Sequence, residues 1–284
     1  MIVVFGATGT IGTPLVNTLL AKGASLRAVT SDPAKTMALQ AQGCEVAVAD
    51  FDDPAALEQA CAGADKAFLV TPAHPDMRRW KANAIDAAKA AGVGHMVMST
   101  GLGANPKARL TFGLWHSDSQ EHLKASGMDW TLLQPTYFMQ NLLWQAVSIA
   151  SGKYLDELGG PVSWVDARDI ADLAALVLTE NGHGGKAYGV TGPEALSGPD
   201  IAGLLGKVLG REITCQAVSN TDARNAMVAS GMTSEVADAM VELSTLGPKG
   251  YLAGIEATIP DVLGQPGRRF SDFVTENTAS LTKS

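Results

Sequence analysis

The chain is 284 residues long, 46% apolar and 18% charged, with a formal charge of −8. Such a length buries a sizeable core, in one large domain or two intimate ones. The acidic balance argues against nucleic acid and anionic membrane as partners, because both reward clustered Lys and Arg.

Met1-Ile2-Val3-Val4-Phe5 is an apolar, β-branched run that reads as a buried parallel strand. Gly6, Gly9 and Gly12 follow, and Pro14 opens an apolar-periodic helix. The first glycine turns the chain out of the strand, the second admits a pyrophosphate to the backbone, and the third lets helix pack on strand. The helix N-terminus then offers N–H groups and partial positive charge to the phosphates.

Further strands are expected at 25–30, 45–49, 66–71, 95–99 and 129–133. Between them, helices open at Asp32-Pro33 and Asp53-Pro54 and run over 76–91 and 118–125. Strands alternating with helices imply a doubly wound parallel sheet with ligands at the strand carboxyl ends. One rim would then hold Gly6 to Gly12, Ser31, Asp50-Phe51, Thr71-Pro72, Ser99-Thr100 and Gln134-Pro135.

Beyond Pro135 the pattern changes to an amphipathic helix over 137–150, a loop over 156–161 and a helix over 167–179 with Asp166 or Asp169 at its start. Helical spacing recurs at 204–209 and 234–246. The expected architecture is α/β, a Rossmann-like doubly wound parallel sheet. Residues 1–136, with 161–184 returning to them, form the dinucleotide domain; 137–160 and 185–284 form a smaller C-terminal substrate lobe. A substrate cleft between the two is the expectation.

Cys44, Cys61 and Cys215 are far apart without a CxxC, and read as small buried hydrophobes in a reducing, cytoplasmic compartment. No charged leader precedes the first strand, and no apolar run approaches the ~18 residues of a membrane span. The five histidines are scattered, so no metal site is expected.

Gly6-Ala7-Thr8-Gly9-Thr10-Ile11-Gly12, Arg27-Ala28-Val29 with Asp32-Pro33-Ala34-Lys35, Ala49-Asp50-Phe51, Thr131-Leu132-Leu133-Gln134-Pro135, Phe138-Met139-Gln140-Asn141-Leu142, Asp169-Ile170-Ala171 and Gly185-Lys186-Ala187-Tyr188 form a recognisable series. Together they resemble the NmrA-like group of atypical short-chain dehydrogenases/reductases, which includes type 2 quinone oxidoreductases and triphenylmethane reductase. The resemblance places Gly6, Thr8, Gly9, Thr10, Ile11 and Gly12 around the cofactor phosphates and Asp50-Phe51 at the adenine. It puts Thr71-Pro72, Ser99-Thr100 and Pro135 along the ribose and nicotinamide.

Two positions depart from the group. Ser31 stands where an Arg often holds the 2′-phosphate of NADP, and Gln134 replaces an Arg before the proline. Asp32 is either a ligand of the ribose 2′-hydroxyl or the N-cap before Pro33, and Lys35 either compensates for the missing Arg or is a solvated helix-face side chain. A carboxylate beside that pocket repels a phosphate, so NAD is favoured over NADP.

Short-chain dehydrogenases of the usual sort carry Tyr-x-x-x-Lys, and none of Tyr137, Tyr154, Tyr188 and Tyr251 has a Lys four residues on. Reduction of a quinone or a delocalised cation needs less help, because charge spreads over the product. His116 and Tyr137 are the candidate catalytic residues, His116 being alternatively a surface or helix N-terminal histidine. Ser117 and Ser119 read as caps, and Glu121 with Lys124 as an exposed pair. Gln134, Phe138, Asn141 and Trp144 are the candidate acceptor-binding residues. The resulting expectation is an NAD(P)H-dependent reductase of a small aromatic or quinone-like substrate, monomeric or homodimeric. Tailoring or oxygenation of an aromatic natural product, and cofactor sensing without turnover, are the alternatives.

Overall fold

The computed structural model describes residues 1–282. In chain order the elements begin β1 (Ile2–Val4), α1 (Gly12–Ala21), β2 (Leu26–Thr30), a 3₁₀ turn (Pro33–Lys35), α2 (Thr36–Ala41), β3 (Glu45–Val48) and α3 (Pro54–Cys61). They continue with β4 (Lys66–Leu69), α4 (Met77–Ala90), β5 (His95–Ser99), α5 (Thr111–Ala125) and β6 (Asp129–Pro135). A 3₁₀ segment (Met139–Gln145), α6 (Ala146–Ala150), β7 (Lys153–Asp156), α7 (Ala167–Thr179) and β8 (Lys186–Val190) come next. The chain closes with α8 (Gly198–Leu209), β9 (Thr214–Ala217), α9 (Asn220–Ala229), α10 (Ser234–Ser244) and three short helices, Thr258–Leu263, Phe270–Glu276 and Thr278–Leu281.

Two compact units result. The first contains Met1–Pro135 and Ile170–Gly189, the second Thr136–Asp169 and the chain from Val190 onward. Residues 161–169 therefore group with the second unit and 185–189 with the first, each shifted from the expected assignment. Local bonds explain the first shift: Val162 pairs with Leu196, and Ser163 N–H donates to Leu252.

In the first unit the expected doubly wound sheet forms, with strand order β3-β2-β1-β4-β5-β6-β8. The pairs from β3 to β6 are parallel, with Val4 beside Ala28 and Phe68. Apolar β-branched strands covered by helices give one core, which includes Val3, Phe5, Leu57, Leu69, Ile85 and Met98. Burying each such side chain contributes about 1.5–3 kcal/mol. Asp32 and Asp53 cap their segments through Ala34 and Ala56 N–H, each followed by proline at the first helical position.

Three local expectations are corrected. α5 begins at Thr111 rather than 118, so Ser117 and Ser119 lie buried within the helix instead of capping it. Over 137–150 the chain forms a 3₁₀ segment and a short α-helix rather than one amphipathic helix. Met139 N–H is held by the Val165 carbonyl, and Asn141 N–H turns back to Phe138 at 3.0 Å, which tightens the winding. Cys215 is exposed, unlike the buried Cys44 and Cys61.

The second unit packs its own core around Tyr154, Trp164, Leu205 and Phe270. It also holds the two-stranded parallel sheet β7-β9. Among the described residues no helix is long and apolar enough to cross a membrane.

Candidate active site

β1 runs into Gly6, whose φ is +71° and whose added Cβ would stand 2.6 Å from the Val70 carbonyl oxygen. A Cβ on Gly12 would overlap the Gly6 carbonyl and stand 2.8 Å from Ala7 Cα. The turn closes because both side chains are absent. Gly9 N–H donates to Gly6 O at 3.0 Å, and Thr13 N–H to Gly9 O at 3.0 Å. Ile11 is buried beneath the turn, whereas Gly9 and Thr10 are exposed. α1 starts with neither a side-chain cap nor an acid in its first turn, which leaves the positive helix end open to an anion.

Thr71, one residue past Val70, keeps a buried hydroxyl oxygen with no hydrogen-bond partner among the described residues. Buried polar atoms are nearly always paired, so an orphan here points to a bound group that completes it. The close-packed glycine turn, the uncapped helix and this hydroxyl fit a dinucleotide. Pro72 follows, exposed.

At the end of β2, Ser31 is exposed and Asp32 Oδ1 accepts from Ala34 N–H at 3.0 Å, so the carboxylate serves as an N-cap. Lys35 leans back, with Nζ 3.4 Å from Thr8 Oγ1, and sets a cation against the glycine turn. Past β3, Asp50 Oδ1 accepts from Asp52 N–H at 2.9 Å. Phe51 lies in an aromatic row, with ring centroids 6.2 Å from Phe5 and 6.1 Å from Trp80, and Trp80 stacks on His74 at 4.3 Å. The sequence reading did not include Trp80.

The ends of β5 and β6 are tied together. Thr100 N–H donates to Leu133 O at 2.8 Å, and Thr100 Oγ1 accepts from Gln120 Nε2 at 3.0 Å. Leu102 N–H donates to Pro135 O at 3.0 Å, and Gln134 is half-buried beside it. Thr100 and Pro135 thus shape the rim through packing and backbone bonds.

Ser99 leads to a group missed by the sequence reading. Its carbonyl accepts from Lys81 Nζ at 3.0 Å, and the same ammonium lies 3.3 Å from His116 Nδ1. Lys81 is 1% exposed. Burial pulls its ammonium down to about 7. His116, in the middle of α5, is lowered well below its ordinary value by burial and then by Lys81. Gly101 carries no side chain against this ring; a Cβ there would sit 2.9 Å from His116 Cδ2 and 3.3 Å from Nε2. The signal for Lys81 was available: Met77, Lys81, Ala84, Ile85 and Ala88 form the buried stripe of α4.

The remaining expected residues belong to the second unit. Tyr137 stands edge-on to Trp164 at 4.8 Å. Burial and the Glu157 carboxylate push its phenol up, against an opposing bond from Asn141. Tyr137, Asn141, Trp144, Tyr154, Glu157 and Trp164 line a cavity of about 30 Å³. Trp164 Nε1 is buried without a hydrogen-bond partner among the described residues. Trp144 is 68% exposed and forms only an edge, and Phe138 is not among the lining residues.

A doubly wound sheet whose first strand enters a close-packed glycine turn and an uncapped helix defines an α/β dinucleotide-binding protein. The chain belongs to the NmrA-like family, whose model matches residues 1–263. It is 45% identical over 283 residues to an NAD(P)H azoreductase of Xenophilus azovorans, covering 99% of each chain. The crystal structure of an NADPH-dependent quinone oxidoreductase of Escherichia coli complexed with NADPH superposes with a TM-score of 0.89 at 30% identity, over 98% of this chain and 100% of that one. Citrobacter sp. triphenylmethane reductase complexed with NADP(H) gives 0.87 at 25% identity, over 97% and 99%. The family resemblance read from the motifs is thereby shown. The expected preference for NAD over NADP has no support among these relatives.

Proposed function

We propose that this chain is an NAD(P)H-dependent reductase of flat conjugated acceptors, quinones and azo compounds among them. The observation that carries it is the glycine turn, closed by two absent side chains and followed by the orphaned Thr71 hydroxyl. The turn and the first turn of α1 would hold the pyrophosphate, Thr71 would bond a ribose or phosphate oxygen, and Phe51 would flank the adenine. Bound nicotinamide supplies the hydride.

His116 would donate the proton. With Nδ1 facing the Lys81 ammonium, its own hydrogen sits on Nε2, the nitrogen toward Gly101. Gln134 would orient the acceptor as a neutral amide. In the second unit, Tyr137 and Asn141 offer an aromatic wall and an amide to a flat ring; with its phenol pushed up, Tyr137 serves as a hydrogen-bond donor rather than an acid. The relatives named for azo and quinone reduction support the acceptor class, as does the absence of a Tyr-x-x-x-Lys pair.

Asp32 is committed to its cap and Lys35 leans on Thr8, so Lys35 would meet a 2′-phosphate and NADPH would be accepted. Parallel titration with NADPH and NADH, followed by quenching of tryptophan fluorescence, tests this reading. NADPH is expected to bind at least as tightly as NADH, and Lys35→Ala to weaken NADPH about tenfold with little change for NADH. Binding of neither nucleotide would overturn the reading.

A further inference from the structure

Lys81 is a buried ammonium with no carboxylate beside it among the described residues. Its hydrogen-bond partners are both neutral, the Ser99 carbonyl from β5 and His116 Nδ1 from α5. The nearby charges of α4 and α5, Arg78 and Asp118, pair with each other at 3.0 Å on the exposed side. On α3, Glu58 is exposed. The titratable group that faces Lys81 is therefore His116.

We propose that Lys81 is the proton source for the acceptor, acting through His116. Lys81 Nζ donates to Nδ1, so the imidazole hydrogen is on Nε2, and Gly101 sets no side chain of its own against that edge of the ring. When a hydride from NAD(P)H adds to a quinone, the Nε2–H bond breaks as the hydroquinone O–H bond forms. An Nζ–H bond breaks in the same step as Nδ1–H forms. The nicotinamide is oxidised by two electrons and the quinone reduced by two. The imidazole ends neutral, as it began, in its other tautomer, and Lys81 is left as a neutral amine; uptake of a solvent proton at Nε2 with return of the Nδ1 proton to Nζ restores both groups.

The electrostatics match this arrangement. A histidine held well below its ordinary value is a poor store for a proton of its own, because its imidazolium is disfavoured. A transfer that never charges the ring avoids that form and delivers the acidity of the ammonium, which burial sets at about 7. An ordinary lysine would hold its proton too tightly near neutrality. Lys81 touches no substrate, so it is a positioning and supply residue rather than a catalytic one.

This inference rests on His116 as the proton donor proposed above, and the test separates the two. Quinone reduction at saturating NADPH is measured from pH 6 to 9 for the wild type, Lys81→Met, Lys81→Arg and His116→Ala. The wild-type kcat is expected to fall above about pH 7, towards tenfold per pH unit, as Lys81 loses its proton. Lys81→Met should lose at least tenfold in kcat and this descent with it, while NADPH quenching stays within about twofold. Lys81→Arg should shift the descent beyond pH 9. If Lys81→Met does not fold, the wild-type and Arg profiles decide the matter. A Lys81→Met enzyme with wild-type kcat and descent overturns the proposal, as does a wild-type rate flat from pH 6 to 9. In the first case, loss of rate in His116→Ala leaves the histidine reading standing, and full rate in His116→Ala removes that reading too.

Discussion

Replacing Lys81 by Met should make the folded chain more stable at pH 6. The stem keeps its length and volume while the charge is removed. A fall of the ammonium from its ordinary 10.5 to about 7 corresponds to about 5 kcal/mol of unfavourable charge burial. The exchange also strips the donor from Ser99 O and His116 Nδ1, and a buried acceptor left unpaired costs about 1–3 kcal/mol. Two acceptors at about 2 kcal/mol each take back about 4 of those 5 kcal/mol, so the net gain for Met is about 1 kcal/mol at pH 6. The sign with pH follows from the direction of the shift. Below pH 7 Lys81 is protonated folded and unfolded, and the wild type carries the full cost. Between about 7 and 10.5 the unfolded chain keeps the proton that the folded chain has released, so wild-type stability rises with pH. The advantage of Met should therefore shrink above pH 7, by about 1.4 kcal/mol per pH unit, and reverse near pH 8. Urea unfolding followed by tryptophan fluorescence at several pH values measures it. A difference independent of pH, or a Met chain less stable at pH 6 than the wild type, refutes the reasoning.

Thr71→Val should raise the stability of the free protein by about 1 kcal/mol, since an orphaned hydroxyl is removed, while weakening NADPH binding severalfold; unchanged binding would separate Thr71 from the cofactor. Gly12→Ala should abolish NADPH quenching, because its Cβ overlaps the Gly6 carbonyl, and preserved affinity would mean that the turn opens cheaply. Asp166 is fully buried and accepts from Gln140 and from the Arg168 guanidinium, so Asp166→Ala should cost about 3–5 kcal/mol. Burial raises the Asp166 carboxyl, but the bonds from Arg168 and Gln140 outweigh it and hold the carboxyl low. Its stabilisation is thus present at neutral pH and lost as pH falls through that lowered value, and urea midpoints from pH 7 to 3 should converge for the variant and wild type.

The sheet was legible because β1 to β6 carry short apolar runs between turn residues; burial on both faces leaves that pattern in the inner strands, and the edge strand β3 keeps it though only half-buried. The glycine turn was legible for the same local reason. β7 and β9 were not, since they pair residues about 60 apart and β9 is exposed along its length. Around the site, His116 could be picked out by residue type, whereas Lys81 could be found only by its place in the helical stripe with Met77, Ala84, Ile85 and Ala88, because lysines are mostly solvated. The role of Asp32 was open between cap and ribose ligand, and only its bond to Ala34 fixes the cap. The lean of Lys35 onto Thr8 joins positions 27 residues apart and leaves no trace in the local sequence.

Anaerobic stopped-flow mixing of the protein and NADPH with a benzoquinone tests the proposed function most directly, with the reduced nicotinamide followed by its absorbance. NADPH deuterated at the transferred position should show a primary isotope effect on an oxidation that saturates with quinone and far outruns the reaction without protein. Oxidation no faster than in buffer, with NADPH demonstrably bound, would contradict the assignment of this chain as a reductase.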